Sequence, residues 1–114
     1  MSLHEIETYW VEDWLKTKVD PKSQAIFLHI LEIFEQFGEY ASNPASDLIP
    51  RSRLKHLFDG ISEIRVGQYR LAYFWQESTC VLLHGIQKKR DDWPDRDLKL
   101  LKKRQRLYLD RLSS

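Results

Sequence analysis

Cysteine is nearly absent: Cys80 stands alone, which excludes a disulfide within the chain, and its place in the apolar run CVLLHGI suits a packed thiol. Glycine and proline are sparse, four of each, and no repeat, linker or low-complexity tract is found. No apolar run approaches the length of a membrane span or a signal-peptide core, so a cytoplasmic location without a membrane partner is expected. His4, His29, His56 and His84 are scattered without metal-ligand spacing, and neither a metal nor a cofactor is implied. Positive charge is scarce in the first half: residues 1–50 hold three Lys/Arg against nine Asp/Glu, whereas residues 84–114 hold ten against five. The net charge of +1 conceals that segregation. A basic stripe attracts polyanions, and the acidic end lowers indiscriminate nucleic-acid binding.

What is present fits one domain over residues 1–114, long enough for a single core. A first strand is expected around Ile6 to Trp10, running into a short helical segment in EDWLKTK. Asp20-Pro21 then opens a helix, with Asp as N-cap and Pro at the first helical position. Its body is apolar at Ile26, Ile30, Ile33, Phe34 and Phe37, and Gly38 ends it. His29 lies on the polar edge, where a solvated role is expected. An irregular connection broken by Asn-Pro and Ile-Pro delivers the basic run Arg51, Arg53, Lys55. A hairpin, a further strand over residues 78–87 and a closing helix in DLKLLKKRQRLYLDRL complete the chain, the helix carrying Leu98, Leu101, Tyr108 and Leu112 along one side. The fold class is α+β: a small, mostly antiparallel sheet with helices packed on one face.

The hairpin EIRVGQYRLAYFW carries the chemistry. Gly67-Gln68 has the chemistry of a type II′ turn, so Val66 faces Tyr69, Arg65 faces Arg70, Ile64 faces Leu71 and Glu63 faces Ala72. One face is then core, and the other presents two facing guanidinium groups. Like charges directly opposite are unfavourable unless something negative lies between them. That anion is either internal, with Glu63 neutralising the pair from the same face, or external, a phosphate or carboxylate suited to a planar bidentate donor pair. Lys88, Lys89 and Arg90 reach the rim of the same sheet, and Phe74 is placed to stack on unpaired bases, so the open face suits an RNA cradle. Arg53, Lys55, Lys102 and Lys103 extend the expected RNA-binding set.

The ordered set DGISEIR, YRLAYF, LLHGIQKK and a proline before a closing helix resembles the RelE/HigB superfamily of bacterial toxins, in its phage-derived HigB-like branch, over Leu54 to Tyr108. The resemblance implies a RelE-like fold and the toxin of a type II toxin-antitoxin pair. Its partners would be a cognate antitoxin, of helix-turn-helix type, together with the ribosome and mRNA. Its activity would be metal-independent mRNA endonuclease chemistry, in which the substrate's 2′-hydroxyl attacks the adjacent phosphate. Carried onto this chain, Arg65 and Arg70 take the places of strand arginines, Arg70 holding the scissile phosphate. Lys88 and Lys89 supply charge at the transition state, and His84 and Tyr108 are the candidate proton carriers. His84 shares the parity of Cys80 and Leu82, which suits a packed histidine equally, and Tyr108 lies on an apolar stripe. Trp93 and Leu101 depart from the family pattern, which has small residues there. The alternative function is a non-nucleolytic toxin or partner-binding protein on the same fold, either a ParE-like gyrase inhibitor or a degenerate prophage protein.

Overall fold

The computed structural model describes residues 4–89 and 92–113, and the candidate Arg90 lies outside them. In chain order the elements are β1 (Glu5–Glu7), α1 (Glu12–Thr17), α2 (Pro21–Phe37), three 3-10 turns, β2 (Leu54–Phe58), β3 (Ile61–Val66), β4 (Tyr69–Gln76), β5 (Thr79–Gln87) and α3 (Asp95–Ser113). The five strands form one mixed sheet in the order β1-β5-β4-β3-β2, antiparallel except where β1 joins β5. The α+β class expected from the pattern is the class observed. Among the described residues no helix is long and apolar enough to cross a membrane.

Local chemistry explains the boundaries. Asp20 caps α2 by accepting a hydrogen bond from the Ser23 amide at 2.8 Å, Pro21 follows it, and Gly38 at φ +68° ends the helix. Two hairpins carry turn residues matched to their geometry. Asp59 and Gly60 both have positive φ, as a type I′ turn requires, whereas in the next turn Gly67 does and Gln68 does not, as in type II′. The Asp-Gly pair makes LKHLF a strand, an element that the irregular connection leading to Lys55 conceals.

Two cores flank the sheet. On one face α1 and α2 bring Val11, Phe27, Ile30 and Phe34 against Ile64, Val66, Leu71, Tyr73 and Leu82. Gly85 belongs here, since a Cβ on it would overlap the Trp14 ring. Phe37, expected on the apolar stripe of α2, is 47% exposed, and Phe27 and Leu31 take core positions beside it. On the other face Leu101 of α3, with Leu98 and Tyr108 beside it, covers Ile61, Phe74, Val81 and Leu83. The helices therefore occupy both faces, and the arginine face is open over part of its area. Leu112 points to solvent at 56% exposure instead of joining the stripe. The half of the second face beyond α3 is where the charged residues gather.

Candidate active site

Strand register builds the charged half of that face. Lys55, Glu63, Ala72 and His84 are successive neighbours across β2, β3, β4 and β5, and Arg65, Arg70 and Ile86 form the next row toward the hairpin turn. The facing of Arg65 and Arg70 is the register expected from the two-residue loop. Arg53 adjoins this row, donating to the carbonyl of Arg65 at 3.2 Å. The Lys88 amide bonds the carbonyl of Gln68 at 2.7 Å, which draws the chain after β5 alongside the turn.

His84 reaches this face through a β-bulge. From Thr79 to Leu82 the strand alternates in step with β4, but the register then shifts so that His84, not Leu83, lies opposite Ala72. The extra residue turns Leu83 and His84 successively toward the second face. The parity that places His84 with Cys80 and Leu82 is thereby reversed. The imidazole Nε2 lies 2.8 Å from Asp97 Oδ1 in the first turn of α3. Because a carboxylate only accepts, the neutral ring carries its proton on Nε2 and leaves Nδ1 as the acceptor. Burial lowers the imidazole from its ordinary range, opposed by the hydrogen bond and charge of Asp97 and reinforced by Arg104.

The anion between the arginines is internal. Glu63 is 1% exposed, and its Oε2 lies 3.3 Å from Arg65 Nε and 3.2 Å from Arg70 Nε, at ion-pair distance but outside hydrogen-bond alignment. Its Oε1 accepts from the indole N–H of Trp93 at 2.8 Å. Of the internal and the external anion open to the pair, the internal one is observed. Arg70 is fixed twice over, since its Nη1 also donates to the carbonyls of Gly67 at 2.7 Å and Tyr69 at 2.9 Å. Its side chain is 11% exposed, against 40% for Arg65. Arg65 is the guanidinium that faces solvent.

Lys88, buried at the end of β5, is held below the ordinary lysine range mainly by burial; Glu63 opposes this, and Arg70, Lys55 and Arg65 add to it. Among the described residues, Lys55, Arg65, Arg70 and Lys88 thus gather around the buried Glu63 carboxylate. Trp93 and Lys88 wall two adjoining grooves. One, about 920 Å³, runs past His84, Lys89 and Asp97, and the other, about 390 Å³, past Lys55, His56 and Phe58.

The remaining candidates lie elsewhere. Phe74 is 4% exposed beneath α3, edge-on to Tyr108 at 5.9 Å, and so offers no face for base stacking. Tyr108 is correspondingly displaced: its partner Phe74 is four residues from Arg70, about 13 Å along an extended strand. Lys102 and Lys103 are exposed on α3, with Lys102 Nζ 5.2 Å from the centre of the Phe58 ring at the edge of the smaller groove. Sequence reasoning missed Asp97 as the partner of His84 and Trp93 as the partner of Glu63. The acidic first turn after Pro94 signals a helix start, but nothing local indicates what that turn meets.

The family described as phage-derived protein Gp49-like (DUF891) matches residues 13–106. No curated protein matches the chain. Because that match spans most of the sequence and both sides of the charged face, the chain belongs to the phage-derived Gp49-like family, a toxin-like family associated with the RelE/HigB-type toxins.

Proposed function

We propose that this chain is the toxin of a type II toxin-antitoxin pair and that it cuts mRNA on the ribosome. The observation that carries this reading is the placement of the His84–Asp97 pair beside the cations gathered around Glu63, with Lys88 lining the same groove. Nδ1 of neutral His84 takes the proton from the 2′-hydroxyl as that oxygen attacks the adjacent phosphorus. Arg65 and Lys89 meet the charge that develops on the phosphorane, and Arg70 holds Glu63 and the turn in place beneath them. Lys88, made more acidic by burial and by its cationic neighbours, gives a proton to the departing 5′-oxygen. The products are a cyclic phosphate and a free 5′-hydroxyl. The exposed stripe Lys99, Lys102, Lys103 and Arg106 on α3 would lie along ribosomal RNA phosphates, and an antitoxin would cover this basic side in the resting state.

A second reading has one observation in its favour. The internal pairing of Arg70 with Glu63 also suits a protein that binds a partner and cuts nothing. Inducing the chain without its antitoxin separates the two: the nuclease leaves mRNA cut within reading frames, whereas a partner-binding toxin arrests growth with mRNA intact.

A further inference from the structure

We propose that Arg104 is a positioning residue for His84, acting through the β-bulge that turns the imidazole toward the groove. The catalytic consequence rests on the nuclease reading above; the structural part does not. The register leaves Leu83 without a partner on β4, and Leu83 is fully buried, so its carbonyl stands at the one irregular step of the strand. Arg104 Nη1 donates to that carbonyl at 2.7 Å. A charge-assisted bond of this length favours the bulged register over a continuous ladder, in which His84 would take the parity of Cys80 and Leu82 and leave the site.

Arg104 is itself held. Its guanidinium lies over the Trp10 ring, 5.5 Å from the centroid, and it follows Asp97 by seven residues, two turns along the same face of α3. One helix therefore grips the end of β5 twice, Asp97 on the imidazole and Arg104 on the carbonyl immediately before it. A helix that only packed against Leu83 through Leu101 would place the strand without specifying which residue is extra. The arginine supplies that selection.

The test uses the full chain with ¹⁵N-labelled histidine. In the wild type, the ring nitrogens of His84 should report a single neutral tautomer with the proton on Nε2. Arg104→Met keeps an aliphatic stem over Trp10 and removes the donor. The two ring signals should then move toward one another as tautomers average, and single-turnover cleavage on ribosomes should fall about 100-fold at unchanged KM. Arg104→Lys should recover part of both. If Arg104→Met does not fold, Arg104→Gln, polar and too short to reach the carbonyl, is measured in its place. Unchanged His84 signals in the donor-free variant overturn the clamp, and shifted signals with wild-type cleavage overturn the positioning role. Shifted signals in a chain that cuts no mRNA even as wild type count against the nuclease and leave the clamp standing.

Discussion

The Trp93 indole donates to Glu63 Oε1 at 2.8 Å, while Oε2 of the same carboxylate meets both Arg65 and Arg70. A residue at the mouth of α3 thus closes over the anion that allows two arginines to face each other across a hairpin. The loop before α3 and the β3–β4 hairpin form one electrostatic unit. Glu63→Gln keeps the shape and the acceptor for Trp93 but removes the charge. Unfolding in urea should show a loss of about 3 kcal/mol, the lower end for breaking a buried ion pair, because Arg65 retains solvent. An unchanged midpoint would mean that the cluster contributes nothing to the fold.

The two arginines should separate in experiment. Arg70→Ala removes the more buried of the two arginines paired with Glu63 and its two bonds to the carbonyls of Gly67 and Tyr69, so it should destabilise by about 1.5–3 kcal/mol as well as lower cleavage. Arg65→Ala removes a side chain that is 40% exposed, and its stability change should stay within about 1 kcal/mol. Its cleavage rate should nevertheless fall by roughly 100-fold or more, as when one donor to a developing oxyanion is lost. Equal effects on stability from the two variants would contradict the division of labour.

Much of this was legible in the residues, and the exceptions have physical causes. The Arg65–Arg70 register follows from a two-residue loop with glycine first, and α2 is announced by Asp20-Pro21 and Gly38. The Asp59-Gly60 hairpin is equally readable from its turn chemistry, although the basic run before it continues an irregular connection. The bulge at Leu83 was not readable: CVLLHGI alternates no better with it than without it, and the choice is made by Arg104, which is distant in sequence. The same holds for α3, whose mixed stripe of Leu98, Leu101 and Tyr108 does not say which sheet face it covers. Once α3 lies on the second face, Phe74 and Tyr108 become core and Asp97 becomes part of the site.

The pH dependence follows from His84. Its folded value is lowered, mainly by burial, so between the unfolded value of about 6.5 and that lower value the unfolded chain binds more protons. Stability contributed by this group is present above about pH 6.5, is lost as pH falls through that window, and levels off beneath it. Asp97→Asn keeps an acceptor for Nε2 but removes the charge that raises the value, so His84 should titrate lower still and the loss should extend to more acidic pH. An NMR titration of the ring reads this directly. An upward shift in Asp97→Asn would show that the pair does not hold the imidazole as described.

Cys80 provides a check on the core between the sheet and the helices α1 and α2. It is fully buried, and burial raises its thiol well above the ordinary range, so a thiol reagent should leave the folded protein unmodified and react on denaturation. Rapid labelling of the native chain would mean that β5 does not pack against α1 and α2 as described.

The most direct measurement is to map mRNA ends after the wild-type chain is induced without its antitoxin, alongside His84→Ala confirmed to be folded. Wild type should produce cuts within translated reading frames that carry 5′-hydroxyl and cyclic phosphate ends, and His84→Ala should produce roughly 100-fold fewer or none, as expected when a positioned general base is removed. Growth arrest by the wild type with mRNA left intact, or equal cutting by both chains, would contradict the assignment of His84 and the surrounding cations as a nuclease centre.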